Sequence, residues 1–172
     1  MKQLRITMLV AAVVGMLLAM LSAPALADTL KAMLDSFQEA PSTLSTTGRG
    51  EFRADIDEDD ETIDFELSYE DLEGGNPTAA HIHLGRPGIA GGIIAFLCGG
   101  GGKPTCPSSG GTVSGTIVPA DVIGPAGQGI AGGEFEEVVR AIRAGATYVN
   151  VHNETYPSGE IRGQLGKGKK GR

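Results

Sequence analysis

Residues 78–92 read Thr-Ala-Ala-His-Ile-His-Leu-Gly-Arg-Pro-Gly-Ile-Ala-Gly-Gly, and they hold two of the three histidines in the chain. Successive residues of a β-strand point to opposite faces, so His81 and His83 share one face of the strand predicted here. The opposite face is apolar and consists of Ala80, Ile82 and Leu84. The glycines and the proline that follow predict a loop.

The third histidine, His152, ends a second short predicted strand. Val149 and Val151 form the apolar face of this strand, which puts His152 on the polar face with Asn150 and Tyr148. If the two strands are neighbours in the sheet, all three imidazoles stand together on one outer surface. This shared face is the basis for predicting both the fold and the chemistry of the chain.

The three histidines have two interpretations. Imidazole is a common ligand of copper, zinc and nickel, and ligands from two neighbouring strands would leave an open coordination position. The expected metal is copper or zinc, held by His81, His83 and His152. The structural alternative is that His81 and His83 hydrogen-bond the following loop while His152 caps the turn at 153–156. The sequence alone leaves both open.

The first 27 residues have the pattern of a cleaved signal peptide. Lys2 and Arg5 provide the positive start, a long apolar run follows, and Ala25–Ala27 form a cleavage site of A-x-A type. A retained membrane anchor is the alternative, since residues 6–22 are nearly long enough to span a bilayer. The cleavage site favours removal after Ala27, and we therefore expect a secreted or periplasmic protein.

The mature chain has the length and charge of one acidic domain. Residues 28–166 suit a single core, and no segment after residue 27 is apolar enough to cross a membrane. Without the signal peptide, 12 basic residues face 21 acidic ones, a net charge of −9. An acidic body argues against nucleic acid as a partner. The last basic residues, 167–172, are predicted to form a disordered tail.

Two cysteines, Cys98 and Cys106, flank a short segment rich in glycine. In an exported protein a disulfide between them is the expected state, and it would stabilise the fold by about 2–3 kcal/mol. A cysteine metal site does not fit their spacing. The Gly-Lys pair between them lacks the pattern of a phosphate-binding loop.

Short strands with turns between them recur along the rest of the chain. The predicted strands are Thr29–Leu34, Gly50–Ile56, Thr62–Tyr69, Thr78–His83, Ile93–Leu97, Thr112–Val118, Thr147–His152 and Gly159–Leu165. One helix is predicted near 135–142, where apolar residues recur at helical spacing, namely Phe135, Val138, Val139 and Ile142. This order predicts a mainly β fold, an antiparallel Greek-key β-sandwich or barrel with one short helix before the last two strands.

The acidic segment Asp57–Asp60 is predicted to be the turn of a hairpin. Together with flanking acids it also matches part of a calcium-binding EF-hand loop, through Asp55, Asp57, Asp59 and Glu66. However, Asp60 stands where that loop requires glycine, and both flanks have the alternation of strands rather than helices. A hairpin is therefore the expected structure.

Three segments together resemble the CHRD (chordin) domain family. They are Thr78–His83 with its glycine loop, Ala144–His152 and Ser158–Leu165. The resemblance covers nearly all of the mature chain and implies an extracytoplasmic β-sandwich module. In animal members the domain occurs within an extracellular antagonist of growth factors, whereas the role of bacterial members is largely unassigned.

A weaker similarity relates the chain to copper–zinc superoxide dismutases, whose copper site also begins with a His-x-His strand. It implies a sandwich of superoxide-dismutase or immunoglobulin type, with His81, His83 and His152 as copper ligands. Arg162 would then guide an anionic substrate. The chain has no further histidine for a bridging ligand or a zinc site. Only a mononuclear site is compatible with this sequence.

Three hypotheses for function follow. The leading one is an exported, non-enzymatic CHRD-type binding module for an unknown extracytoplasmic protein or surface ligand, with one metal ion on the three-histidine face. The second is a mononuclear copper oxidoreductase in which Arg162 acts on substrate. The third is a structural domain of the envelope or matrix. No pattern of a nucleophile beside a base appears in the sequence.

Overall fold

The computed structural model of the chain describes residues 28–108 and 110–167. The predicted signal peptide, residues 1–27, lies outside the described residues, as do residues 168–172 of the predicted tail. Lys167, which the sequence assigned to that tail, lies in a two-residue strand beside Leu30. Within the described ranges, no helix is long and apolar enough to span a membrane.

The described residues form nine strands, one α-helix and three short 3-10 helices. The strands are β1 (Asp28–Asp35), β2 (Arg49–Asp57), β3 (Thr62–Glu70), β4 (Pro77–Leu84), β5 (Ile93–Cys98), β6 (Gly111–Ile117), β7 (Thr147–Asn153), β8 (Ile161–Gln164) and β9 (Gly166–Lys167). The α-helix, α1, spans Phe135–Arg143, and the 3-10 helices span Ser36–Gln38, Pro119–Asp121 and Ala126–Gln128.

The strands form one antiparallel sheet that is nearly closed into a barrel. Neighbouring strands follow the order β5-β4-β7-β8-β1-β2-β3-β6, and β9 pairs with β1. The two end strands, β5 and β6, approach each other, and the predicted Cys98–Cys106 disulfide joins the end of β5 to the segment before β6. The predicted fold class, a mainly antiparallel β domain with one late helix, is confirmed.

The core follows from the alternation of β2 and β3. Their apolar residues are buried and lie opposite one another, with Phe52 beside Leu67, Ala54 beside Phe65 and Ile56 beside Ile63. Full burial of a large apolar side chain contributes about 1.5–3 kcal/mol, so this face contributes much of the stability. Between the strands, the Asp57 carboxylate accepts hydrogen bonds from the amides of Asp59 and Asp60, which confirms the predicted hairpin turn.

The predicted helix is also confirmed. One face of α1 is buried, and it consists of Phe135, Val138, Val139 and Ile142. Glu136 and Glu137 lie in the first turn and Arg143 in the last, as the helix dipole favours. Arg143 also pairs with Glu58 on the β2–β3 hairpin at 2.6 Å, which ties the helix to that end of the barrel.

Candidate metal centre

The pairing of β4 with β7 brings the three histidines together. His81 lies opposite Asn150 and His83 opposite Tyr148, so His152 lies diagonally across from His81 on the same face. The ring centroids are 5.3 Å apart for His81 and His83, 4.7 Å for His81 and His152, and 5.7 Å for His83 and His152. One ring nitrogen from each histidine lies within 4.8 Å of the other two. The predicted convergence of the three side chains is therefore present.

The prediction that this face is an outer surface is wrong. His81 and His83 are each only 6% exposed, and His152 is partly buried. Phe96 on the neighbouring strand β5 packs edge-on against the His81 ring, with 4.4 Å between centroids. Strand alternation shows which residues share a face, but it does not show whether loops and neighbouring side chains cover that face. The cluster is thus largely separated from solvent.

Two of the histidines each hydrogen-bond a backbone carbonyl through one ring nitrogen. Nδ1 of His83 lies 3.0 Å from the carbonyl oxygen of Gly91, and Nδ1 of His152 lies 3.1 Å from that of Pro157. A carbonyl only accepts, so Nδ1 carries the proton in both rings and Nε2 has a free lone pair. Both of these Nε2 atoms, and both ring nitrogens of His81, are buried without a hydrogen-bond partner.

Burial keeps the three imidazoles neutral. Desolvation, together with the neighbouring His152 and His83, lowers the pKa of His81 to about 3. Desolvation also lowers the pKa of His83 to about 4, although the hydrogen bond to Gly91 opposes this. The pKa of His152 is lowered by burial as well, against the hydrogen bond to Pro157. Near neutral pH these rings present lone pairs and do not repel a cation.

The loop 85–92 holds His83 in place through Gly91. The Gly91 backbone lies so close to the carbonyl of Leu84 that a Cβ atom would collide with it, which requires glycine at this position. Besides accepting from His83, Gly91 donates its amide to the hydroxyl of Tyr148 at 3.1 Å. The glycine that sequence analysis assigned only to a loop therefore orients one histidine.

Arg162 reaches the site through Tyr148. The Tyr148 ring stacks on His83 with 4.8 Å between centroids and an interplanar angle of 7°, and the guanidinium carbon of Arg162 lies 3.5 Å from the Tyr148 centroid. Arg162 is only 2% exposed, and Nη2 donates to the carbonyl of Arg86 while Nη1 is buried without a partner. The guanidinium is thus placed beside the tyrosine, away from bulk solvent.

Two buried carboxylates accept hydrogen bonds from asparagines of β7. Glu39 accepts a hydrogen bond from the Asn150 amide at 2.7 Å, and Glu160 accepts from the backbone amides of Glu73 and Gly74 and from Asn153. No role for Glu39 follows from the sequence, since a single acid in a turn carries no periodic signal. Burial raises the pKa of Glu39 to about 7, although the charge of Arg162 opposes this rise.

Glu39→Gln should stabilise the protein above neutral pH. The folded-state pKa of Glu39 lies above its unfolded value of 4.5, so its contribution to stability is full below pH 4.5 and is lost as the pH rises through about 7. Glutamine still accepts the hydrogen bond from Asn150, and because it does not ionise, the variant does not lose stability as the pH rises. We expect the free energy of unfolding of the variant to exceed that of the native protein by about 2–3 kcal/mol at pH 8, with a difference that disappears toward pH 4.5. Urea unfolding of both proteins at both pH values measures this difference. A difference that does not depend on pH would contradict the prediction.

Together, fold and site define a barrel-like antiparallel β domain with a buried three-histidine cluster between two adjacent strands. Residues 30–165 match the family model of the CHRD domain. The chain therefore belongs to the CHRD domain family, as its motifs implied. No curated protein matches the chain, and no solved structure matches it either.

Proposed function

We propose that this protein is an exported CHRD-domain module that binds one metal ion, copper or zinc, through His81, His83 and His152. The observation that carries the proposal is a set of buried ring nitrogens without hydrogen-bond partners, on three histidines that each have a ring nitrogen within 4.8 Å of the other two. A buried polar group left unsatisfied costs about 1–3 kcal/mol. A bound cation would satisfy three such atoms at once.

The hydrogen bonds of His83 and His152 support metal binding rather than a purely structural role. Metal-ligating histidines usually donate their other ring N–H to a backbone carbonyl or a carboxylate, which fixes the tautomer and the ring orientation. Gly91 and Pro157 provide such carbonyls here. A structural role would explain these two bonds, but it would leave His81 without any partner.

The spacing of the ring nitrogens also suits one ion. Imidazole nitrogens bind copper or zinc at about 2.0–2.1 Å. Because ring nitrogens that share an ion lie roughly 3.3–3.6 Å apart, a separation of 4.8 Å has to shorten by somewhat more than an ångström. We expect rotation about side-chain torsions to achieve this change, because the strand register already fixes the backbone.

Export is supported by two independent features. The N-terminal sequence has the pattern of a signal peptide, and Cys98 and Cys106 form a disulfide of the kind that persists in oxidising compartments. We propose an extracytoplasmic protein or surface ligand as the partner of the module. N-terminal sequencing of the protein from its native compartment should start at Asp28, and a start at Met1 would contradict cleavage.

Metal titration of untagged protein tests the proposed site. The chain has three histidines, all in the cluster, so no other imidazole competes. We expect one equivalent of Cu²⁺ or Zn²⁺ to bind, measured by calorimetry and by metal analysis after desalting. His81→Ala with His152→Ala should abolish this binding, because a single remaining imidazole cannot hold the ion.

A matched variant controls for adventitious binding to acidic residues. Asp59→Asn with Asp60→Asn removes two charges from the exposed β2–β3 turn and should leave the stoichiometry and affinity unchanged. Undiminished binding by the double histidine variant, or loss of binding in the hairpin variant alone, would place the metal elsewhere. Absence of stoichiometric binding of Cu(I), Cu²⁺ and Zn²⁺ by the native protein would favour a structural role for the histidines.

A further inference from the structure

The ligands of the proposed site carry no negative charge. Among the described residues, the group that could hold a metal consists of three histidines without a carboxylate or a thiolate. Glu39 and Glu160 are directed elsewhere, to Asn150 and to the backbone of Glu73 and Gly74. An ion bound here would keep its full charge in a buried setting.

A fixed positive charge lies close to the cluster. The Arg162 guanidinium carbon and the His83 ring centroid both lie against the Tyr148 ring, at 3.5 Å and 4.8 Å from its centroid. The distance from the guanidinium carbon to the His83 ring centroid is therefore no greater than the sum of these two distances. The charge of the guanidinium disfavours a further positive charge beside the His83 ring, and more so the greater that charge is.

Burial and Arg162 both act more strongly on a dication than on a monocation. The cost of transferring an ion out of water rises steeply with its charge, and repulsion from a nearby guanidinium doubles between a single and a double charge. His81 and His83 are 6% exposed and Phe96 covers the His81 ring, so water compensates little.

The number of ligands points the same way. Cu²⁺ favours a tetragonal set of nitrogen and oxygen ligands, and Zn²⁺ held by three histidines takes a water as its fourth ligand. Within the described part of the chain, the cluster offers three nitrogens and no further histidine, cysteine or carboxylate, and His81 and His83 are largely shielded from water. A closed-shell monovalent ion that accepts three neutral nitrogen ligands needs no such water and fits this set better.

We propose that the three-histidine cluster is a Cu(I) site, which selects monovalent copper over Cu²⁺ and Zn²⁺ through burial and through the charge of Arg162. This inference rests on the proposed function and specifies its ligand. Copper enters in the reduced state, so no electron transfer within the protein is required.

Competition titrations of the native protein test the selection directly. Cu(I) is buffered anaerobically by a coloured Cu(I) chelator, and Cu²⁺ and Zn²⁺ are buffered by their own chelators at the same pH. We expect Cu(I) to bind at 1:1 and at least about tenfold more tightly than either dication, since a unit charge at this range changes the binding constant of one additional charge by about tenfold to thirtyfold. Each tenfold preference over Cu²⁺ raises the midpoint potential of bound copper by about 59 mV.

A pair of variants isolates the role of Arg162. Arg162→Gln removes the charge and should lower the ratio of Cu(I) to Cu²⁺ affinity by about tenfold, whereas Arg162→Lys keeps the charge and should largely keep the ratio. At pH 8, where Glu39 is mostly ionised, Glu39→Gln removes a nearby negative charge and should raise the ratio. A merely structural role of Arg162 would weaken both oxidation states alike and leave the ratio unchanged.

The outcomes separate this inference from the proposed function. Cu²⁺ or Zn²⁺ affinity equal to or above that of Cu(I) in the native protein overturns the inference, while the metal site itself stands. Failure of all three ions to bind at 1:1 overturns both. The comparison in the native protein needs no variant, so it decides the question even if Arg162→Gln does not fold.

Discussion

His81→Phe should make the metal-free protein more stable while abolishing metal binding. Both ring nitrogens of His81 are buried without a hydrogen-bond partner, and the ring packs among Phe96, His83 and His152. Phenylalanine would fill this aromatic setting and remove the unsatisfied polar atoms. We expect the free energy of unfolding to rise by about 1–3 kcal/mol and the metal affinity to fall by at least a hundredfold.

Chemical unfolding without metal and metal titration measure the two effects on one sample. His83→Phe is the matched control, because it breaks the hydrogen bond to Gly91 and should destabilise the metal-free protein. His81→Leu, a smaller replacement, guards against overpacking by the larger ring. If neither His81 variant is more stable than the native protein, the ring nitrogens of His81 already have hydrogen-bond partners, and His81 is not a vacant metal ligand.

Acidification should destabilise the metal-free protein well above the range in which carboxylates titrate. Burial lowers the folded-state pKa of His81 to about 3 and of His83 to about 4, from 6.5. Between 6.5 and these values the unfolded chain binds protons that the folded protein cannot bind. Stability is therefore lost as the pH falls, by about 1.4 kcal/mol per pH unit for each histidine.

Glu39 has the opposite pH dependence, since its raised pKa stabilises the folded state as the pH falls from about 7. The effect of the histidines is therefore best measured in the Glu39→Gln variant. There we expect about 3–4 kcal/mol to be lost between pH 6.5 and pH 5 in urea unfolding without metal. Adding His81→Phe should remove roughly half of the slope, and a flat profile in Glu39→Gln would show that the histidines are solvated.

These two results bear on why the chain retains the cluster. Three histidines that share a buried face, two of them with pKa values near 3 and 4, weaken the metal-free fold, and a replacement such as His81→Phe would relieve that cost. Functional sites commonly retain groups of this kind. The expected gain in stability on removal of His81 is therefore an argument for function, provided that metal binding is lost with it.

Much of the fold was predictable because it depends on local pattern. Alternation in β2 and β3 predicted both strands and their turn to within a residue or two, and the spacing of Phe135 to Ile142 predicted the helix. Such patterns reflect burial of one face, which the sequence records directly. The two-residue strand β9 was not predicted, because pairing of so short a segment depends on the position of β1.

The site was predictable only in part. The same-face relation of His81 and His83 follows from the period of a strand, and the polar face of β7 follows from Val149 and Val151. That β4 and β7 are neighbours was a hypothesis, since 62 residues or more separate them and sequence pattern carries no record of such pairing. The pairing observed here turned three separate residues into one cluster.

By itself, the sequence determined which side chains share a face, that the chain is mainly β with one late helix, and that its motifs are those of the CHRD family. Only the tertiary structure decided that the histidine face is buried beneath Phe96 and the loop 85–92, and that Arg162 reaches it through Tyr148. The physical reason is that alternation is local, set by backbone geometry between adjacent residues. Burial and electrostatics depend on which distant segments pack together, and these contacts determine the chemistry of the three imidazoles.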